Sequence, residues 1–264
     1  VYQERLSRVA GAVLWTRTVG AGEGGPYRVL PDGCMDVIWC DGELIVTGPD
    51  TRAHVAQTPA GARFAGLRFA PGQGPGVLGV PAYELRDLRV PLAAVWPGGT
   101  ARRIAERIGD AADPGSALED AVTGSVPGTG ARRGPGAADP LLAATASRLA
   151  SGGSVAAAAE AAGLGERQLY RRSLAAFGYG PKTLARVLRL QRALELARRG
   201  TPFAEVAVAA RYADQAHLAR EVKALAGVPL GELVGQVGQA AGPGSAGSAA
   251  SRSTWLPSAS RTVA

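Results

Sequence analysis

A repeat in the C-terminal half constrains the fold of this chain more than any other feature. Val155-Ala-Ala-Ala-Ala-Glu-Ala-Ala-Gly-Leu164 aligns with Phe203-Ala-Glu-Val-Ala-Val-Ala-Ala-Arg-Tyr212 at an offset of 48. Leu169-Tyr170-Arg171 aligns with Leu218-Ala219-Arg220 at an offset of 49, so the second copy carries one extra residue at its turn. Each copy has the plan of a short Ala-rich helix, a tight turn and a second helix, the layout of a helix-turn-helix. Ala159 and Ala207 fall where the two helices must cross, and only a small side chain allows that approach. Gly163 supplies a positive φ without a Cβ clash. Leu164 and Tyr212 are then expected to anchor the turns, with Leu169 and Leu218 anchoring the second helices.

The surroundings of the repeat are helical throughout. Helices are predicted over Leu141–Ala150, Val155–Ala162, Glu166–Phe177, Lys182–Arg199, Pro202–Ala210 and Asp214–Ala226, and Lys182–Arg199 has the length to join the two units. The N-terminal half has a β texture. Cys34-Met35-Asp36-Val37-Ile38-Trp39 and Glu43-Leu44-Ile45-Val46-Thr47 flank the turn signal Asp41-Gly42. Arg63–Phe69 alternates with period two, and Ala101–Ile108 reads as a short helix. The fold class is therefore α+β: a β-rich domain over 1–115, a Gly/Pro-rich flexible linker over 116–140, an all-α domain over 141–234 and a disordered tail over 235–264. In that tail Trp255 and Leu256 are an isolated apolar pair.

Charge separates the halves. Residues 1–140 hold 14 Arg and Lys against 15 Asp and Glu, whereas 141–234 hold 13 against 7. The excess suits a polyanion partner for the second half, although an Arg-rich surface alone also explains it. No run reaches the roughly 18 apolar residues of a membrane span. The first ten residues carry charge where a signal peptide is apolar, and two cysteines make no disulfide framework, so a reducing cytoplasm is the expected location.

The stretches "AAGLGERQLYRR", "GYGPKTLARVLRLQRALELA", "YADQAHLARE" and "LAGVPLGEL" together resemble the DNA-binding domain of the AraC/XylS family of bacterial transcription regulators. The resemblance implies a double helix-turn-helix whose two recognition helices enter successive major-groove segments. By match to the family motif, Arg167, Tyr170 and Arg171 fall at base-reading positions of the first. In the second, Asp214 is placed as N-cap and Leu218 faces the core, leaving Gln215, Ala216, His217 and Arg220 on the opposite side. Gln binds adenine bidentately, Ala meets a thymine methyl and Arg binds guanine. Arg172, Lys182, Arg186 and Lys223 are candidates for phosphate or for a solvated face. The chain departs from the pattern at Gly165, where a Ser or Thr cap is usual, at Ser173 and Val222, where Phe is usual, and at Arg211, where the turn glycine is usual.

"YRVLPDGCMDVIW" and "GLRFAPGQGPGVLGVPAYELRDLRVPL" resemble an uncharacterised domain that precedes such helix pairs in many actinobacterial regulators. Its position implies effector sensing or dimerisation. The partners implied are double-stranded DNA, with a small-molecule effector, RNA polymerase and a second copy of the chain beside it. No metal or cofactor is expected, since the five residues between Cys34 and Cys40 are not a zinc spacing. Pro31-Asp32-Gly33 reads as a turn before a strand and His54 as a surface-loop histidine. The alternative, from another class, is an enzyme with Cys34, Asp36 and His54 as a thiol or hydrolytic site tethered to DNA.

Overall fold

A computed structural model describes residues 1–125 and 139–239. The N-terminal region is a β-rich domain and the C-terminal region is helical, as the sequence predicts. Eight strands form in the first: β1 (Tyr2–Leu6), β2 (Ala12–Thr18), β3 (Gly25–Val29), β4 (Met35–Cys40), β5 (Glu43–Thr47), β6 (His54–Thr58), β7 (Arg63–Phe69) and β8 (Arg89–Pro91). Six make one antiparallel sheet in the order β1-β2-β7-β4-β5-β8, and β3 pairs with β6 in a separate ribbon. The turn between β4 and β5 has φ of 43° at Asp41 and 98° at Gly42, the two positive values that suit a two-residue hairpin.

One glycine decides how this sheet packs. Trp15 of β2 sits opposite Gly66 of β7, and a Cβ on Gly66 would come within 2.2 Å of the indole. The bare backbone lets the ring lie across β7, where its Nε1 donates to Asp36 Oδ1 at 2.9 Å. Val37, Trp39, Val46, Leu67 and Phe69 fill the other side of the core together with Ile104 and Ile108 of α2 (Gly98–Gly109). The short helix α1 (Gly74–Leu78) packs into the same core through Leu78.

The first domain is longer than the sequence suggested. Residues Pro114–Ser125, placed at the end of the domain and in the flexible linker, form helix α3. Leu118, Ala121 and Val122 bury one of its faces in the β-domain core. Glu119, nearly inaccessible, accepts hydrogen bonds from the Arg5 guanidinium, the Ser7 hydroxyl and both the backbone and side chain of Arg8. Burial pushes this carboxyl up, and those four groups more than offset it, bringing it down to about 2. The helix is thus stapled to β1 and to the loop after it. The rest of the proposed linker, residues 126–138, lies outside the described residues.

The helical region runs α4 (Pro140–Ala150), α5 (Val155–Ala161), α6 (Glu166–Phe177), α7 (Pro181–Arg198), α8 (Phe203–Ala209), α9 (Gln215–Ala226) and α10 (Leu230–Gln239). Gly235–Gln239, assigned to the tail, are therefore helical, while Trp255 and Leu256 lie outside the described residues. Two apolar cores share α7. Leu184 and Val187 belong to the first, with Leu169 and Phe177 of α6, and Leu190, Leu194 and Ala197 belong to the second, with Leu218 and Val222 of α9. A single helix that contributes to both cores joins the units through packing as well as through the chain.

Candidate nucleic-acid interface

The repeat becomes a repeated geometry. In the first unit Gly163 has φ 62° and the Leu164 N–H donates to Ala159 O at 3.0 Å. In the second, Arg211 has φ 60° and the Tyr212 N–H donates to Ala207 O at 2.8 Å. Ala159 and Ala207 are buried at the helix crossings, and Leu169 and Leu218 are buried under the second helices. At Arg211 a non-glycine residue takes the left-handed backbone, and its side chain is anchored nearby. Arg211 Nη1 donates to Gly152 O, in the loop between α4 and α5, at 3.2 Å.

The second helices of the two units, α6 and α9, start differently. Asp214 caps α9 by accepting the His217 N–H at 2.6 Å. Gly165 offers α6 no side chain, and the Gln168 side chain reaches back to accept the Gly165 N–H at 3.2 Å. Both helices end at a left-handed glycine, Gly178 and Gly227, each at φ 78°.

On α6, Glu166, Arg167, Gln168, Tyr170, Arg171 and Arg172 are exposed while Leu169 and Ser173 point inward. On α9, Gln215, Ala216, Ala219, Arg220 and Lys223 are exposed while Leu218 and Val222 point inward. Among the described residues, Arg167, Arg171, Lys182, Arg220 and Lys223 have no ion-pair partner. Tyr170 is 51% exposed, and its ring rests on the α6–α7 turn, where a Cβ on Gly180 would come within 2.5 Å of it. A groove of about 860 Å³ runs beside α6, lined by Arg167, Tyr170, Arg171 and Lys182 and, from the β-rich domain, by Thr51 and Arg86.

Three predicted contacts are occupied differently. Arg186 is bound bidentately by Glu221 of α9, at 2.9 and 3.1 Å, so it braces the connector helix α7 against α9. The Arg186 hydrogen bonds hold the Glu221 carboxyl below its ordinary range. Arg172 turns toward Asp139 at the start of α4, 3.8 Å away. His217 packs edge-on against Tyr212, and its Nδ1 accepts the Ala213 N–H at 3.2 Å, which leaves only its other ring nitrogen for an outside partner. Sequence reasoning missed Arg189, whose guanidinium lies 4.7 Å over the Tyr212 ring and 3.7 Å from Glu221. The signal was its position one turn beyond Arg186 on α7.

In the β-rich domain, Cys34 is buried and burial pushes its thiol well up, the opposite of what a nucleophilic thiolate requires. Asp36 accepts from Trp15 and from Arg68 Nε at 3.3 Å, and burial raises Asp32 beside it. His54 is exposed at the start of β6 rather than in a loop. No group of three His, Cys, Asp or Glu among the described residues could hold a metal ion. Gln191 of α7 donates to Pro31 O at 2.7 Å, so the Pro31-Asp32-Gly33 turn meets the connector helix.

Residues 158–236 match a family described as "Helix-turn-helix domain", and residues 11–91 match a "Domain of unknown function (DUF6597)". No curated protein matches the chain. Three solved structures of ToxT from Vibrio cholerae align over most of both chains. An apo form of a substituted ToxT has 10% identity and a TM-score of 0.43, covering 87% of this chain and 98% of its own. A second has 11% and 0.45, covering 85% and 97%, and a third, at 1.65 Å resolution, has 8% and 0.47, covering 88% and 97%.

Proposed function

Given that residues 158–236 match a helix-turn-helix domain family and residues 11–91 a domain of unknown function, we propose that this protein is a sequence-specific transcription regulator of the AraC/XylS type. In this reading α6 and α9 each lay their exposed face in the major groove, in segments about one helical turn or ~34 Å apart. The observation that carries it is the duplicated turn. It presents Arg171 and Arg220 from equivalent positions, both exposed and neither ion-paired among the described residues.

Arg167, Tyr170 and Arg171 read bases from α6, and Gln215, Ala216 and Arg220 from α9. His217 contributes at most one ring nitrogen and mainly fixes the second turn. Lys182 in the first turn of α7 and Lys223 in α9 hold phosphate, as exposed cations beside the recognition helices. Arg186 leaves this set because Glu221 neutralises it, and Arg172 is drawn toward α4. The β-rich domain takes a small-molecule effector, and RNA polymerase or a second copy of the chain joins on DNA. Among the described residues no helix is long and apolar enough to cross a membrane, which accords with a regulator working in the cytoplasm.

Selection of bound duplexes from random DNA tests this. Two conserved blocks one helical turn apart are expected, with affinity falling linearly in log salt through counterion release. Enrichment of no sequence, or binding indifferent to salt, removes the reading.

A further inference from the structure

Both recognition helices are gripped at the same end by the same body. Arg28 of β3 donates through Nη1 to Ala226 O, in the last turn of α9, at 3.0 Å. The Ala53 N–H, just before β6, donates to Leu225 O one residue earlier, at 2.6 Å. At the end of α6, Arg86 donates through Nη1 to Gly178 O at 3.4 Å. Gly178 also lies so close to the β-rich domain that a Cβ there would come within 2.6 Å of Pro49 and 3.1 Å of Ala82 O. The repeat offset of 49 sets Gly178 against Gly227, so the two arginines address carbonyls one aligned position apart.

The chemistry suits this grip. Carbonyls of a last helical turn have no donor within their own helix, and the aligned peptide dipoles make that end negative. An arginine supplies both a donor and a positive charge. The grip continues between the two ends, where Gln191 ties the middle of α7 to Pro31 O. The two units are otherwise joined by α7 and by the Arg211 bond to Gly152. Three attachments on one domain fix the angle and separation of α6 and α9 more firmly than a single shared helix can.

We propose that the β-rich domain sets the spacing between the two DNA-reading helices, with Arg28 and Arg86 as positioning residues acting through the C-terminal carbonyls of α9 and α6. This rests on the reading that both helices contact DNA. It makes the domain of unknown function part of the mechanism of operator choice, since any ligand or partner that loosens it would widen the range of spacings accepted.

The test uses the full chain and an operator selected by that chain. Adding two base pairs between the half-sites moves them apart by about 7 Å and turns one by about 70°. Wild-type protein is expected to lose at least about tenfold in affinity on that insertion, of the order of one mismatched base pair. The R28A/R86A double variant should lose less than about threefold, while affinity for an isolated half-site stays within about twofold of wild type. R28K/R86K, which keeps cation and donor, should restore the steep profile. A variant as steep as wild type overturns the proposal and leaves the DNA-reading assignment intact. So does loss of half-site binding and melting temperature in the alanine variant together, because the arginines then only hold the fold. A wild-type chain indifferent to the insertion removes the two-helix reading itself, and the proposal with it.

Discussion

The two helix-turn-helix units share a turn to within a few degrees but are fastened by different forces. The first has a glycine at its left-handed position, a glycine at the start of its second helix, and a core of Leu169, Phe177, Leu184 and Val187. Its second helix, α6, makes no ion pair with α7 among the described residues. The second has arginine at the left-handed position, aspartate as cap, and a charged seam in which Glu221 meets Arg186 and Arg189 while Arg189 also covers Tyr212. Apolar burial carries no titrating group and is not screened by ions, whereas partly exposed ion pairs weaken at acid pH and at high ionic strength. Two copies of one architecture should thus respond differently to acid and salt while exposing the same side of their second helix.

The largest expected effect tests that shared face. If the turns are equivalent, Arg171→Ala and Arg220→Ala should each cost ~1–3 kcal/mol on the preferred site and relax sequence preference at one position apiece. Because the Arg211 side chain holds the second turn, the two losses should match within about threefold, roughly the scatter of single base contacts. Competition binding against operators altered at single positions measures this. Equal weakening on every sequence would mean that both arginines hold phosphate only.

Next comes the charged seam. Glu221→Gln should destabilise the protein by about 1–2 kcal/mol, a charged hydrogen bond discounted for its partly exposed partners. Arg186 holds the Glu221 carboxylate low, so its stabilisation is present above the ordinary glutamate range and is lost as pH falls through and below it. Melting temperatures should therefore converge for the two proteins toward acid pH and diverge near neutrality. A constant gap would show that the pair contributes nothing electrostatic. At the helix starts, Asp214→Ala should cost ~1 kcal/mol. Gly165→Ser should gain about 0.5 kcal/mol or more, since a Cβ there meets nothing nearer than Gln168 Oε1 at 4.0 Å and the backbone already has cap geometry. Chemical denaturation of both variants would expose any hidden symmetry between the caps.

Sequence alone carried the repeat, the crossing alanines, the Asp214 cap and most helix limits, because each is a local signal with a fixed stereochemical reason. It carried the Asp41-Gly42 hairpin for the same reason. It missed α3, because Gly124 and the Gly/Pro-rich stretch that follows made 116–140 read as linker. Yet Leu118, Ala121 and Val122 lie at helical spacing and are buried. It left Arg186 to phosphate or to solvent because the partner, Glu221, lies 35 residues away and no local pattern connects them. The contacts of Arg28 and Arg86 with helix ends are of the same kind: a backbone carbonyl in another domain has no sequence signature. Long-range partners, together with the helix α3, are what the residues withheld.

The smallest net effect is expected at Arg211, and it separates two opposing causes. A non-glycine residue in the left-handed region costs ~1–2 kcal/mol. The bond from its guanidinium to Gly152 O returns about 0.5–1.5 kcal/mol, and it ties the second turn to the loop before the first unit. Arg211→Ala keeps the strain and loses the bond, so it should destabilise by about 1 kcal/mol. Arg211→Gly loses the same bond and relieves the strain, but frees the unfolded chain by about 0.4–1 kcal/mol. It should therefore melt close to wild type and above Arg211→Ala. The pair of variants measures side chain and backbone separately, which neither does alone. Were Arg211→Gly to gain well over 1 kcal/mol, the side chain would be idle and the second unit merely a strained copy of the first. Were Arg211→Ala harmless, the bond to Gly152 would contribute nothing and the two units would meet only through α7 and the β-rich domain.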